Sequence, residues 1–204
     1  QGIAADLSCD QSLQQVVTSN PGVRLLGAWD FYELSIRAIV GQQITVAGAA
    51  TLTTRLIQSL GDTVDGELPA GLGGLFPTPE RVAVADLEGL GFTKSRADTL
   101  RRFSKAYSEG ALQFDTAPDL EAVIATLTEI KGIGDWTAHY IAMQALRETD
   151  AFPAADLGLL KAYAAAAGRE VSAKQLSEKS NAWRPWRAYA AMYLWHSLKD
   201  IKHG

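Results

Sequence analysis

Apolar positions recur at helical spacing along almost the whole chain and nowhere alternate for long enough to make a strand. An amphipathic stretch covers Gln11–Thr18. In "DFYELSIRAIVGQQI", Phe31, Leu34, Ile36, Ala38 and Ile39 fall along a helix with Asp30 as its N-cap. Thr45 is placed to cap the next helix, "VAGAATLTTRLIQSL", and Gly61 to end it. The segment "GDTVDGELPAGLGGLFPTP" is rich in Gly, Pro and Asp and reads as a long loop, either a crossover between subdomains or a functional loop. Short helices are expected at Glu80–Ala85 and Asp86–Leu90, then a basic one at Lys94–Ser108. A pair of segments follows. "DLEAVIATLTEI" carries Leu120, Val123, Ile124 and Leu127, and "DWTAHYIAMQAL" carries Trp136, Tyr140 and Met143 on one face. Helices at Leu157–Ala167, Ala173–Lys179 and Pro185–Lys199 complete the chain. The fold class is all-α. One weak echo exists: "DLEGLGFTKSRADTLRRF" and "TEIKGIGDWTAHYIAMQAL" share a short helix, a glycine turn and a longer helix, too little for a repeat architecture.

Composition narrows this picture. With 204 residues, 47% hydrophobic and 21% charged, the chain has the make-up of one or two globular domains with a sizeable core. No apolar run reaches the roughly 18–20 residues of a membrane span. The start, "QGIAADLSCD", has neither the basic nor the apolar region of a signal peptide, and it lacks Met, so a processed chain or a piece of a longer one is expected. The single cysteine, Cys9, excludes an intramolecular disulfide and any Cys-based zinc or iron–sulfur centre, and it fits a reducing compartment. The net charge of −4 argues against nucleic acid, whose binders usually present basic surface, but leaves room for a local positive face. Two clusters offer one: Lys94, Arg96, Arg101, Arg102 and Lys105, and Arg184, Arg187, Lys199 and Lys202. Either can touch phosphates. The commoner reading is a solvated face, since Asp98 and Asp200 dilute them. Trp183 and Trp186 read as packing residues.

Between the paired segments lies "KGIGDW", Lys131 to Trp136. Glycines here allow positive φ and close approach of another molecule. A turn leading straight into a helix aims several backbone N–H groups one way, which makes an anion site suited to a phosphate diester. Ile133 can pack in the angle between the helices. The turn alone is equally a tight αα-hairpin closed by a C-cap glycine, with Asp135 capping the second helix. Further on, "FPAADLGLLKAY" delivers Asp156 to the start of a helix, where it is a candidate catalytic acid or simply a cap. Asp150, the nearest other carboxylate, reads as a loop or surface residue.

This order of hairpin, Pro-containing loop and Asp resembles the helix-hairpin-helix (HhH-GPD) DNA glycosylase superfamily. The segments "SIRAIVGQQITVAGAATLTTRL", "FPTPERVAVADLEGLGFTKSRADTL", "GIGDWTAHYIAM", "DAFPAADLGLLKA" and "WRPWRAYAAMYLW" are similar, in this order, to the AlkA-type 3-methyladenine DNA glycosylase II family. The resemblance runs from about Leu7 to Lys199. It implies one glycosylase domain over residues 1–204, with the hairpin at about 119–147 and the Gly/Pro-Asp loop at about 148–157. It also implies two helical subdomains with the active-site cleft between them, and that the family's extra N-terminal domain is absent from this chain.

The resemblance implies roles residue by residue. Asp156 is the catalytic carboxylate that stabilises positive charge on the sugar and orients or deprotonates water. Trp136, Tyr140 and Trp195 form the base pocket, whose electron-rich faces attract the cationic ring of an alkylated purine. Periodicity alone makes the Trp136–Tyr140–Met143 stripe core packing. Lys131, Gly132, Ile133, Gly134 and Thr137 hold the DNA backbone. Gln43 is the wedge that fills the gap left by the extruded base, where well-known members carry leucine; a surface helix terminus is the plainer reading. Backbone carbonyls of Ile130 and Ile133 hold a monovalent cation, and no cofactor is implied. Lyase members carry a Schiff-base lysine at the position of Trp136, with which neither Lys131 nor Lys161 aligns, so a monofunctional enzyme is implied. The implied function is hydrolytic excision of 3-methyladenine and 7-methylguanine from double-stranded DNA, by a cytoplasmic, nucleoid-associated monomer. A non-catalytic DNA-binding module and a glycosylase for oxidised or deaminated bases are the alternatives.

Overall fold

The computed structural model describes residues 2–63, 74–114 and 119–201, with side chains up to residue 198. The middle of the long Gly/Pro loop, Lys202 and the side chains of Lys199 and Asp200 therefore lie outside the described residues. Every regular element among the described residues is helical. No helix among them is long and apolar enough to cross a membrane. The chain forms two compact units, Gln1–Trp29 with His139–Gly204, and Asp30–Ala138.

The second of these is built from α3 (Phe31–Val40), α4 (Val46–Leu60), α5 (Pro79–Val84), a 3-10 turn (Glu88–Leu90), α6 (Lys94–Ser108) and α7 (Leu120–Thr128). The caps follow the residue types. Asp30 accepts from Glu33 N at 2.6 Å and Thr45 from Gly48 N at 3.1 Å. Phe31, Tyr32, Phe103 and Tyr107 stack between α3 and α6, and the buried Tyr32 hydroxyl meets Ser104 Oγ at 2.7 Å. Burial pushes the Tyr32 phenol far above its ordinary range, so it stays protonated and can donate. Gly61 does follow the last turn of α4, but in extended conformation (φ −77°, ψ 160°), not a left-handed cap. A Cβ there would stand 2.2 Å from the Leu75 carbonyl, so close chain approach is what requires glycine.

The basic face of α6 is largely neutralised. Arg101 pairs with Glu88 and Asp98, Arg102 reaches Asp98 at 4.0 Å, and Lys105 reaches Glu109 at 3.8 Å. Arg96 is turned inward onto the Gln42 carbonyl. Exposed pairs of this kind add little stability and leave little net positive field.

The other unit holds α1 (Gly2–Ser8), α2 (Gln11–Ser19), α9 (Leu157–Ala167), α10 (Ala173–Ser180), a 3-10 turn (Asn181–Trp183) and α11 (Arg187–Ile201). Helix α1 has no counterpart in the expected elements. Seven residues with no acidic group in the first turn and no basic group in the last carry little helical signal, and its Leu7, 1% exposed, is held by packing in a unit where α1 lies against the following helix. Asp10 caps α2 and also accepts from Trp183 Nε1 at 2.7 Å and pairs with Lys179 at 2.7 Å. Trp183 is core, as its type suggests, and Trp186 donates to Asp6 at 3.1 Å.

Candidate active site

The turn between α7 and α8 (Asp135–Ala145) has the form its glycines suggest. Gly132 has φ +103°, open only to glycine at low cost, and a Cβ there would sit 1.9 Å from Thr99 Oγ1. Ile133 is 4% exposed. Gly134 is exposed, and a Cβ there would meet nothing within 4 Å. The two glycines thus do different jobs: Gly132 satisfies a fold requirement, whereas Gly134 leaves the face before α8 open to another molecule. Helix α8 begins at Asp135, and the Gly134 carbonyl accepts from Ala138 N at 3.0 Å. Asp135 is therefore the first helical residue rather than the cap; its charge stands where the helix dipole favours an anion.

The weak sequence echo has a geometric counterpart. Gly91 (φ +98°), the buried Phe92 and the cap Thr93 lead into α6 as Gly132, Ile133 and Gly134 lead into α8. Both turns need a left-handed glycine followed by an apolar residue locked into the core.

The hairpin carbonyls are well used. Gln42 Nε2 donates to Gly132 O at 3.1 Å and Ile133 N to Ile130 O at 2.9 Å, while the Thr99 hydroxyl lies 3.3 Å from Lys131 O and 3.0 Å from Ser95 O. Thr137 is 3% exposed, and its hydroxyl accepts from Gln42 Nε2 at 2.9 Å. Any hold of Thr137 on a phosphate comes through its backbone N–H in the first turn of α8. Gln43 lies in the turn after α3, exposed, with φ +54°. Neutral carbonyls alone, as at Ile130 and Ile133, suit a weakly held monovalent ion better than a divalent one. Among the described residues no cluster of His, Cys, Asp or Glu is arranged to hold a metal.

In the other unit, the Pro-containing loop presents Asp156 at the N-terminus of α9. Its Oδ1 accepts from Leu159 N at 2.9 Å and from Trp195 Nε1 at 2.8 Å. Tyr140 of α8 stands edge-on to Trp195, with ring centroids 6.3 Å apart at 62°. Burial, and secondarily the Asp156 charge, raises the Tyr140 phenol above its ordinary value, so it is a neutral donor at working pH. Tyr140, Asp156 and Trp195 are all half-buried, as is Trp136 one turn earlier on α8. Met143, on the same stripe, is fully buried core.

The loop before Asp156 is pinned from several sides. Arg187 makes a paired contact with Asp150 at 2.8 and 2.9 Å, Arg184 reaches the same carboxylate, and Ala188 N donates to Thr149 O at 2.9 Å. His139 Nδ1 accepts from Phe152 N at 3.2 Å. Asp150 is thus an anchor and not a surface residue, and Arg184 and Arg187 face it. Sequence reasoning also missed Gln42, His139 and the Asp150 anchor. The doubled glutamine of "GQQ" and the arginines of "WRPWR" were the available signals; His139 offered none.

Comparison with known proteins places the chain in a family. Residues 36–187 match the HhH-GPD superfamily base excision DNA repair proteins. The chain is 34% identical over 200 residues to DNA-3-methyladenine glycosylase 2 of Escherichia coli, covering 94% of this chain and 68% of that protein. It is 35% identical over 199 residues to the Mycobacterium tuberculosis protein named "Probable bifunctional transcriptional activator/DNA repair enzyme AlkA", of which it spans 40%. Its fold superposes with a TM-score of 0.77 and 26% identity on the Schizosaccharomyces pombe 3-methyladenine DNA glycosylase Mag1 in complex with abasic DNA, covering 98% of this chain and 97% of that one. The family match over residues 36–187, most of the chain's length, and the 34% identity to a relative of which it covers 68% identify the chain as a member of the HhH-GPD superfamily of base excision DNA repair proteins.

Proposed function

We propose that this chain is a monofunctional DNA glycosylase that flips alkylated purines such as 3-methyladenine and 7-methylguanine out of duplex DNA and hydrolyses their N-glycosidic bond, leaving an abasic site. One arrangement carries the reading: Asp156 is held in a fixed orientation by Leu159 N and Trp195 Nε1, and the Trp195 ring faces Tyr140. A carboxylate so oriented stabilises the positive charge that develops on the deoxyribose as the bond breaks, and it can take a proton from the attacking water. The aromatic faces of Tyr140, Trp195 and Trp136 attract a base that alkylation has made cationic. With tryptophan at position 136, no amine stands there to form a Schiff base, so water is the nucleophile.

The hairpin serves as the backbone grip. Gly134, Thr137 and the first turn of α8 offer N–H groups to a phosphate, Lys131 adds charge beside them, and Gly132 and Ile133 set the turn's shape. Gln43 enters the gap left by the flipped base. A monovalent cation on the carbonyls of Ile130 and Ile133 would add positive field at the same phosphate. The enzyme acts as a monomer on double-stranded DNA, which places it with the nucleoid in the cytoplasm.

The test is release of free base from methylated duplex by wild type and by Asp156→Asn, with a check for strand breaks. Release by wild type only, with intact strands, is the expected result. Release by Asp156→Asn would overturn the mechanism, and strand cleavage would overturn the monofunctional assignment. DNA binding without release would favour a non-catalytic module.

A further inference from the structure

We propose that Gln42 is a positioning residue that makes the Gln43 turn and the hairpin a single rigid body, so that the grip on the DNA backbone sets how far residue 43 reaches into the duplex. The proposal rests on the DNA glycosylase reading above and extends it to a residue with no assigned role.

The observations lie within one unit of the fold. The Gln42 carboxamide reaches from the end of α3 to the hairpin, with Nε2 3.1 Å from Gly132 O and 2.9 Å from Thr137 Oγ1. Its own main-chain carbonyl accepts from Arg96 Nη2 of α6. On the same helix, the Thr99 hydroxyl, whose shorter bond runs to Ser95 O at 3.0 Å, also lies 3.3 Å from Lys131 O. The α3 turn, α6 and the hairpin are therefore joined in a closed circuit of polar contacts. Both the side chain and the main chain of Gln42 are fixed by it.

The next residue is the exposed one. Gln43 has φ +54°, and among the described residues only it and Arg147 hold a non-glycine backbone at positive φ. Such a conformation costs free energy for an L side chain and persists where its surroundings over-determine it. Gln42 is the immediate neighbour that does so. The residue type is also specified: the Gly132 carbonyl can only accept, so the linking group must donate to it, which a carboxamide does and a carboxylate does not, whereas the Thr137 hydroxyl can meet either. A wedge works only if it advances while the flanking backbone is held. The Gln42 contacts supply that coupling directly.

The experiment compares wild type with Gln42→Ala and the near-isosteric Gln42→Glu. Each is assayed for binding to undamaged duplex, binding to duplex with an abasic-site analogue, and single-turnover release of 7-methylguanine. Fluorescence of a 2-aminopurine beside the lesion reports unstacking. Loss of the two donated bonds is expected to slow release and unstacking ~10-fold, with undamaged and abasic binding changed by less than ~3-fold. Gln42→Glu, folded and nearly the same shape, should fail like Gln42→Ala. Unchanged release in both variants would overturn the proposal. So would a fall in undamaged-duplex binding as large as that of Gly134→Ala, because Gln42 would then belong to the clamp itself. If wild type releases no base, the glycosylase reading falls. The fluorescence arm then still decides the coupling: unstacking by wild type but not by the variants supports it, and equal unstacking by all three overturns it.

Discussion

Trp195 donates its indole N–H to Asp156 Oδ1 at 2.8 Å, onto the same oxygen that accepts from Leu159 N at 2.9 Å. The cap is thus in place, and in the proposed mechanism the same carboxylate also carries the catalysis. The two roles separate by substitution. Asparagine caps a helix as well as aspartate, so Asp156→Asn should unfold at nearly the wild-type temperature yet release no base. Asp156→Ala should lose activity and also about 1 kcal/mol of stability. Thermal denaturation beside a base-release assay checks both.

The Trp195 bond has its own consequence. A hydrogen bond to a charged acceptor is stronger than a neutral one, and here it fixes where the second carboxylate oxygen points. Trp195→Phe keeps an aromatic face but removes the donor. Single-turnover base release should fall by about 10-fold while affinity for abasic duplex changes little. A loss of affinity equal to the loss of rate would place Trp195 in binding alone.

The two hairpin glycines should respond in opposite ways. Gly132→Ala meets Thr99 and a φ of +103°, so it should destabilise by about 1–3 kcal/mol. Gly134→Ala meets no neighbour, so the fold should be unaffected while duplex affinity falls by about 10-fold or more through loss of close phosphate approach. Urea denaturation and fluorescence-anisotropy titration separate the two. Binding should also weaken with added salt despite the acidic net charge.

The buried Arg187 pairs with the largely covered Asp150, their side chains 8% and 14% exposed. Removing one partner leaves an under-compensated charge in the interior. Arg187→Ala should cost about 3–5 kcal/mol, partly offset by Arg184 on the same carboxylate. A midpoint shift in chemical denaturation measures it. An Arg187→Ala protein of wild-type stability would show that solvent reaches the site.

Asp10 supplies a pH dependence. Burial by itself would raise its carboxyl, but bonds from Lys179, Ser12 and Trp183 outweigh that and bring it down to about 2. The unfolded chain then binds the proton more readily than the folded one. The stability contributed by Asp10 is present above its ordinary value of 3.8 and is lost as pH falls towards 2. Asp10→Asn should be less stable than wild type near pH 6, and the gap should close between about pH 4 and 2, as followed by denaturation at each pH.

The chain's own pattern determined a good deal. Helix α6 runs Lys94–Ser108 and α9 runs Leu157–Ala167, as the periodicity predicts, and Asp30 and Thr45 cap where their types suggest. Periodicity and caps depend on residues within about four positions of one another, so they can be read one turn at a time. The same holds for the hairpin, whose glycines announce both a left-handed turn and an open approach. Tertiary structure alone decided the polar contacts over distance: Asp156 with Trp195, Asp150 with Arg187, and Gln42 with Gly132 and Thr137. Along the chain, Asp150 looks like any loop carboxylate and Arg187 like any surface cation. Whether a polar side chain faces water or a partner depends on which helices pack together, and that is a property of the whole core rather than of any local stretch.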